Sequence, residues 1–374
     1  MSLSQSCFRT LSKFPLKGSP SSLIALSFRS IQNYLDQGGK RNYANDTCQP
    51  PVAKCKVAIV TGGAGGIGLA IVKHLVKNGA QAVVMADVNE EMATCNMEAI
   101  NKEAGCEKVL FQKCDASKRS DLEQVFECTK DKFHKIDIVV NNAGILADSI
   151  WDKTICINAY GLVMGTLLGF EYMGMHNCSG NGGTVINVAS ILGFSPCHGS
   201  PVYTATKHFV VGFTRSIGDK WFYNKTGVKI MALCPGVTES DMTEEKNMIE
   251  RGGYTDIGEA GKELANALNA LPKQPADECG KHVIHMLQHG CSADLWISEN
   301  FECYRVIYPE FRNWKDSKNA LSTKSDGCAK PPAAKCGPPK KAADKCGDAA
   351  KKPDCGPKKE AKCKKPKKSK KKKC

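Results

Sequence analysis

A glycine-rich turn between an apolar run and a helical pattern is the feature that most constrains the fold of this chain. Residues 56–60 read KVAIV, residues 61–68 read TGGAGGIG, and apolar residues at helical spacing follow. Glycines there allow a tight turn, the approach of backbone N–H groups to a pyrophosphate, and close packing of the helix on the strand. The start of the helix then favours an anion. The segment predicts a dinucleotide-binding strand–turn–helix unit.

A carboxylate at the end of the next predicted strand indicates which dinucleotide the chain binds. The strand over residues 82–86 ends in Asp87, about twenty residues after the glycines. A carboxylate at this place hydrogen-bonds the adenosine ribose and repels a 2′-phosphate. No arginine or lysine lies in the glycine loop or within three residues after Asp87. We therefore predict NAD rather than NADP, and the alternative is that Asp87 is an ordinary turn carboxylate.

Strands and helices alternate along the following two hundred or so residues, which is typical of a parallel sheet covered on both faces. The further strands are predicted at 109–112, 136–140, 184–188 and 228–233, with a helix and a strand within 276–297. We expect an α/β fold, a doubly wound parallel sheet in a single Rossmann domain over residues 51–316. An N-terminal extension (1–50) and a disordered tail (317–374) would flank it.

A serine, a tyrosine and a lysine in the second half of this domain have the spacing of a proton-transfer site. Tyr203 follows Ser190 by thirteen residues, and Lys207 lies four residues further on, so the tyrosine and lysine share a helix face. A nearby ammonium lowers the pKa of a tyrosine, which is about 10 in peptides, towards the working pH. Taken singly, Tyr203 would be an ordinary half-buried aromatic. Together with the glycine turn, the three residues predict proton transfer beside a bound nicotinamide.

With these motifs in order, residues 56–314 resemble the short-chain dehydrogenase/reductase family, and within it the branch of the insect alcohol dehydrogenases and 15-hydroxyprostaglandin dehydrogenase. The catalytic residues that the resemblance implies are Ser190, Tyr203, Lys207 and Asn158. The cofactor-binding residues that it implies are Gly62, Gly66, Ile67, Gly68, Asp87, Asp115, Asn142, Ala143, Gly144, Tyr203, Lys207, Pro235, Gly236 and Thr238. By the same resemblance Asp115 would contact the adenine, Thr238 the nicotinamide carboxamide, and Asn158 a water in line with Lys207.

The resemblance implies an NAD-dependent oxidoreductase that moves a hydride between nicotinamide and a secondary alcohol or ketone, with no metal. It also implies a homodimer formed through the two long helices. The loop over residues 239–273 is polar and contains Asp241, Glu244, Glu245 and Lys246. The substrate of the relatives is therefore not carried over to this chain.

The whole net charge of +14 lies at the C-terminal end. Residues 324–374 contain nineteen lysines and five acidic residues, so the rest of the chain is neutral and gives no argument for nucleic-acid or membrane binding. This tail has no large apolar residue after Leu321, and we expect it to be disordered. Its six cysteines are eight to eleven residues apart, which does not fit a zinc site.

Three interpretations of the tail stay open. It is a solvated linker, or it binds polyanions weakly through its lysines. Alternatively, since it resembles the Cys- and Lys-rich tails of insect sperm-flagellum proteins, it joins a thiol cross-linked assembly. The last interpretation gives an alternative for the whole chain, a structural sperm-tail or mitochondrial component with a dehydrogenase-fold body.

Residues 1–35 have the composition of a mitochondrial transit peptide. They contain arginine, lysine and many serines but no acidic residue, and they place Ile24, Phe28, Ile31 and Leu35 at helical spacing. A disordered extension is the alternative. There is no secretory core and no apolar run near the length of a membrane span. We expect the protein to be located in the mitochondrion, and the cytoplasm and the sperm flagellum are the alternatives.

Overall fold

The computed structural model describes residues 51–252 and 259–307. The hypotheses on the transit peptide and on the Cys/Lys tail concern residues outside these ranges, as do the outer ends of the expected domain boundaries. The described part is built on one sheet of eight strands. The strands are β1 Val57–Thr61, β2 Ala82–Asp87, β3 Val109–Lys113, β4 Ile138–Asn141, β5 Gly183–Val188, β6 Val228–Pro235, β7 Leu295–Glu299 and β8 Glu302–Val306.

Helices connect the strands and cover both faces of the sheet. The fourth helix has a π-helical turn at Cys156–Gly161, where one residue more than in a regular turn is accommodated. The helices are α1 Gly66–Lys77, α2 Glu90–Ala104, α3 Arg119–Phe133, α4 Asp148–Met173, α5 Pro201–Ile217, α6 Lys220–Thr226, α7 Glu245–Arg251, α8 Ala260–Asn269 and α9 Ala276–His289.

The strand order is β3-β2-β1-β4-β5-β6-β7-β8, and β1 to β7 are parallel. Val60 of β1 pairs with Met85 on one side and with Val140 on the other. The chain order reverses between β1 and β4, and ligands of such sheets bind at the carboxyl ends of the strands beside this point. The prediction of a doubly wound parallel sheet is confirmed.

Strand β8 was not predicted. It runs antiparallel to β7 at the edge of the sheet, and the two strands are joined by Asn300 and Phe301. Both residues have positive φ, 47° and 63°, as in the type I′ turns of tight hairpins. The second position of such a turn usually holds glycine, so the phenylalanine concealed the turn in the sequence.

Apolar side chains of the sheet are buried on both faces, and every residue of β1 is buried. On one face, Ile71 and Leu75 of α1 and Val283 of α9 form a core cluster with β1 and β2. On the other face, Phe126 of α3 and Leu168 of α4 belong to a second cluster. Each fully buried side chain of this size contributes about 1.5–3 kcal/mol. The two layers hold the strand ends in fixed positions.

Helix α4 is long and apolar enough, by length and composition alone, to cross a membrane. Within its most apolar stretch 61% is buried inside the protein, and it packs on β4 and β5 as a core helix does.

Candidate active site

The three predicted cofactor glycines meet three different steric requirements. Gly62 and Gly66 have positive φ, 64° and 50°, which disfavours any residue with a Cβ. A Cβ on Gly68 would lie 2.0 Å from the carbonyl oxygen of Gly62, so the helix α1 approaches the turn more closely than alanine allows. The first N–H groups of α1 have no partner within the helix and are available to an anion.

Two aspartates are held in place on the adenine side. Asp87 Oδ2 accepts a hydrogen bond from Ala64 N at 2.9 Å, and its Oδ1 accepts one from Asn89 N at 3.0 Å. Asp115 Oδ1 accepts from the hydroxyl of Ser117 at 2.6 Å and from its N–H at 3.0 Å. The hydrogen bond from the Ser117 hydroxyl holds the pKa of Asp115 below its usual value. Both carboxylates line the cleft.

The segment after β4 is tied to the glycine turn through a residue that the sequence reasoning missed. The hydroxyl oxygen of Thr61 accepts hydrogen bonds from the N–H groups of Asn142 and Ala143, each at 3.1 Å. The side chain of Asn142 donates to the carbonyl oxygens of Thr61 and Gly62, each at 3.0 Å. A signal existed in the sequence, a threonine at the last position of β1.

Ser190, Tyr203 and Lys207 meet at the ends of β5 and α5. The side chains of Ser190 and Tyr203 line the same cleft, close enough for Ser190 to lower the pKa of the phenol, and Ser190 Oγ accepts from Leu192 N at 3.1 Å. Lys207 Nζ donates to the carbonyl oxygen of Val188 at 2.9 Å and lies 5.4 Å from the centre of the Tyr203 ring. All three are buried. The spacing in the sequence therefore corresponds to proximity in the fold.

The pKa of Tyr203 shifts opposite to our expectation. Burial raises the pKa of Tyr203 to about 12, and the hydrogen bond from Ser190 opposes this shift. Burial also lowers the pKa of Lys207 to about 8. We expected Lys207 to lower the pKa of the phenol, but desolvation of the buried ring is the larger effect here. Tyr203 is thus a neutral phenol at neutral pH, and Ser190 is the neighbour that favours its ionisation.

Asn158 lies in the π-helical turn behind the cleft. Its Oδ1 accepts from Ile145 N at 2.8 Å, while its Nδ2 donates to Ile145 O at 2.9 Å and to Thr206 Oγ1 at 3.2 Å. A Cβ on Gly144 would lie 3.3 Å from Asn158 Oδ1 and 3.6 Å from Lys207 Nζ. Asn158 thus links α4, the loop after β4 and α5, and π turns of this kind are frequent at functional sites.

One cleft of about 350 Å³ at the carboxyl ends of the strands brings together fourteen of the sixteen predicted residues. Gly68 and Asn158 lie directly beneath it rather than on its wall. The lining residues that were predicted are Gly62, Gly66, Ile67, Asp87, Asp115, Asn142, Ala143, Gly144, Ser190, Tyr203, Lys207, Pro235, Gly236 and Thr238.

Two buried polar groups next to the cleft were not among the predicted site residues. Asp148 is fully buried at the start of α4, and its carboxylate accepts from Val202 N at 2.7 Å and Tyr203 N at 2.9 Å. Its burial raises the pKa of this carboxyl. Asn141 at the end of β4 donates to Asn187 Oδ1 at 2.9 Å. These contacts depend on which elements become neighbours, and a single sequence does not show this.

The wall beyond Tyr203 is mostly apolar. The polar loop of residues 239–273 turns Glu244, Glu245 and Lys246 to solvent, while Met248 is buried. Apolar side chains line this part of the cleft, namely Leu146, Leu192, Val237, Met242 and Leu268. From the loop itself, Ser240, Asp241 and Thr243 face the cleft together with Met242 and Leu268, so its contribution is mixed, and most of the apolar wall comes from other segments.

Comparison with known proteins agrees with this geometry. Residues 56–250 match the family model of the short chain dehydrogenases. The chain is 38% identical to rat 15-hydroxyprostaglandin dehydrogenase (NAD⁺) over 205 residues, which are 54% of this chain and 76% of that protein. It is 34% identical to alcohol dehydrogenase 2 of Ceratitis capitata over 244 residues, 65% of this chain and 91% of that protein. The crystal structure of levodione reductase superposes with a TM-score of 0.56 at 26% identity, covering 66% of this chain and 96% of that one.

Fold and cleft define an α/β oxidoreductase of the nucleotide-binding type, because the glycine turn, the strand-end carboxylate and the buried tyrosine face one space. The chain belongs to the short-chain dehydrogenase family, and the resemblance drawn from its motifs is confirmed. It is a dehydrogenase or reductase that acts on CH–OH groups, and its relatives use nicotinamide dinucleotides. The residues present fit such a cofactor. A Cβ on Gly62 or Gly68 would clash with neighbouring atoms, so the turn is compact, and Gly62 faces the cleft where the cofactor would bind.

Proposed function

We propose that the protein is an NAD-dependent dehydrogenase that interconverts a secondary alcohol and its ketone. The observation that carries the proposal is the buried contact of Ser190 with Tyr203, with Lys207 beside the tyrosine ring, at the cleft that the glycine turn forms. A structural role alone gives no reason for these groups to meet at a nucleotide-binding cleft.

Each side chain has a defined task in this proposal. The hydroxyl of Ser190 binds the substrate oxygen and holds it next to Tyr203. The phenol of Tyr203 exchanges a proton with that oxygen, Ser190 favours the phenolate that forms, and the ammonium of Lys207, 5.4 Å from the ring centre, adds a positive charge nearby. When bound, NAD supplies the carbon that accepts the hydride. The apolar wall excludes water, which strengthens the electrostatic contacts among these groups.

The preference for NAD over NADP is supported by charge. The carboxylate of Asp87 is fixed by two main-chain N–H groups at the end of β2. Among the described residues that line the cleft, Lys207 is the one with a basic side chain, and it lies beside Tyr203. A 2′-phosphate near Asp87 would therefore meet a negative charge without a compensating cation.

Substitution of Tyr203 by phenylalanine tests the reaction. With NAD and a panel of apolar secondary alcohols, the wild-type protein is expected to form NADH, and Tyr203→Phe to lower kcat about 10²–10⁴-fold while NADH binding is kept. Tyr172→Phe is the matched control, because Tyr172 packs on Phe126 in the core. Equal turnover in wild type and Tyr203→Phe would contradict the proposal.

We also propose that the protein is a homodimer paired through α4 and α5. These two helices carry large apolar side chains that are about half exposed, among them Tyr160, Leu167 and Phe209. The double variant Leu167→Glu with Phe209→Glu is expected to halve the mass measured by light scattering. Ile249→Glu, an equally exposed position on α7, should leave the mass unchanged.

For the two ends of the chain we propose a targeting role at residues 1–35 and an anchoring or spacer role at residues 324–374. Composition supports both proposals. A fluorescent fusion of residues 1–50 is expected to enter mitochondria, and cytoplasmic retention would contradict this. Truncation of residues 324–374 is expected to leave turnover intact. Inactivity of both the full and the truncated chain would favour the structural alternative, as would extraction from sperm only under reducing conditions.

A further inference from the structure

A buried glutamine connects the cleft to the edge of the sheet. Gln274 is fully buried, and its side-chain nitrogen Nε2 lies 2.7 Å from the carbonyl oxygen of Ser298 and 3.1 Å from its hydroxyl. The same nitrogen lies 3.3 Å from the hydroxyl oxygen of Thr238, which lines the cleft. An amide nitrogen has two hydrogens. Gln274 can therefore hold Ser298 and Thr238 at the same time.

The main chain of Gln274 holds the same segment. Gln274 N donates to Val237 O at 3.0 Å, and Glu239 N donates to Gln274 O at 2.9 Å. These two bonds flank Thr238 and form an isolated parallel bridge between Thr238 and Gln274. Gln274 thus forms hydrogen bonds to the loop that follows β6 with both its backbone and its side chain.

The other side-chain atom of Gln274 reaches the strained hairpin. Its Oε1 accepts a hydrogen bond from Phe301 N at 3.3 Å, which agrees with the assignment of Nε2 to the side of the Ser298 carbonyl. A phenylalanine at φ 63° is uncommon and persists only where its surroundings fix it. The hairpin also contacts the loop directly, since a Cβ on Gly236 would lie 2.7 Å from Glu299 Cβ.

The hydroxyl of Thr238 is oriented by these contacts. Thr238 Oγ1 donates to Gly236 O at 3.1 Å, which uses its one hydrogen, and it faces Gln274 as an acceptor. Without the amide of Gln274, the Thr238 hydroxyl would lose this donor and be free to adopt another rotamer, although Gly236 N would still donate to Ser298 O of β7 at 2.8 Å.

We propose that Gln274 is a positioning residue for cofactor binding, which acts by fixing the hydroxyl of Thr238 and the loop 236–238. This rests on the proposed function of the cleft as the nicotinamide site. Gln274 itself does not line the cleft. Its effect must pass through Thr238, and this makes the two residues energetically coupled.

A double-mutant cycle on NADH affinity, measured by fluorescence titration, tests this coupling. Gln274→Met keeps the side-chain length, and Thr238→Val replaces the hydroxyl by a methyl group of similar size. Each single variant is expected to weaken NADH binding about tenfold, and the double variant to bind no more weakly than Thr238→Val. Additive losses in the double variant would overturn the proposal, since they would mean that Gln274 acts independently of Thr238.

Thr129→Val is the matched control, because it makes the same change at a buried threonine of α3 that bonds Val125 O. It is expected to lower the melting temperature without changing the Kd for NADH. If Gln274→Met does not fold, Ser298→Ala removes one anchor of the amide and should weaken NADH binding severalfold; an unchanged Kd there would overturn the proposal.

Failure of the two proposals can be distinguished. A wild-type protein that neither binds NADH nor oxidises alcohols would contradict the proposed function. A wild-type protein that does both, with wild-type NADH affinity in Gln274→Met, would contradict the role of Gln274 alone.

Discussion

The carboxylate of Asp148 accepts a hydrogen bond from the main-chain N–H of Tyr203 at 2.9 Å. It accepts a second from Val202 N at 2.7 Å, so an acidic residue at the start of α4 satisfies the first turn of α5. A negative charge stabilises the N-terminus of a helix through its free N–H groups and its dipole. The position of the proposed catalytic tyrosine thus depends on a neighbouring helix.

Replacement of Asp148 is expected to reduce both stability and turnover. Asp148→Ala leaves two buried N–H groups without a partner and should lower the free energy of unfolding by about 2–3 kcal/mol in urea denaturation. Asp148→Asn keeps one acceptor and should cost about 1 kcal/mol. Asp219→Ala removes an exposed cap of α6 and should leave turnover unchanged. Wild-type stability in Asp148→Ala would contradict this role.

The buried amine of Lys207 is expected to make stability depend on pH in an alkaline window. Burial lowers the pKa of Lys207 from 10.5 to about 8. Between these values the unfolded chain binds the proton and the folded chain does not, so folding becomes more favourable as the pH rises. Relative to Lys207→Met, the wild-type free energy of unfolding should increase by about 3 kcal/mol across this window. Parallel urea curves at pH 7.5 and 10 check this, and a constant difference would exclude it.

Cofactor preference is expected to change at Asp87. Asp87→Ser removes the charge and should raise the ratio of kcat/KM for NADP to that for NAD about tenfold or more. Asp87→Asn also removes the charge but keeps a side-chain oxygen. That oxygen can still accept the hydrogen bond that Ala64 N donates to Asp87 Oδ2 at 2.9 Å. If the serine variant loses more NAD activity than the asparagine variant, the difference measures how much of the loss comes from the missing hydrogen bond to Ala64 N rather than from the missing charge. An unchanged ratio in both would rule out electrostatic discrimination.

A helix end offers a stabilising substitution. His134 ends α3 in the left-handed region with φ 60°. His134→Gly should raise the free energy of unfolding by about 0.5–1 kcal/mol, because glycine adopts this conformation without strain. Lys132→Gly, in the last turn of the same helix, should instead cost about 1 kcal/mol. Destabilisation by His134→Gly would show that contacts of the histidine side chain stabilise the fold by more than the relief of backbone strain.

The sequence was sufficient for the features that depend on local spacing and strand order. The glycine turn and the carboxylate of Asp87 could be placed because parallel strands bring their carboxyl ends to one edge, and the family resemblance singled out Gly62, Gly66 and Gly68 within the turn. Ser190, Tyr203 and Lys207 followed from the period of a helix and the loop before it. All of these residues except Gly68, which packs against Gly62, line one cleft, as expected.

Other parts of the site depend on long-range neighbours. Asp148 and Gln274 act on segments 55 and 36 residues away, and nothing in their own surroundings marks them. The direction of the Tyr203 pKa depends on how completely the ring is buried, which spacing does not reveal. The strand β8 was missed because Phe301 occupies a turn position usual for glycine.

The π-helical turn of Cys156–Gly161 sets the rotational phase between the two ends of α4. Upstream of it lies Asp148, which caps α5, and downstream lies Thr166, which accepts from Asn141 in the core. One residue corresponds to about 100° around a helix axis. Deleting a single residue here would restore regular helix and rotate Asp148 away from α5 while Thr166 stayed in place. The length of this turn is therefore as much a part of the site as the side chains it carries.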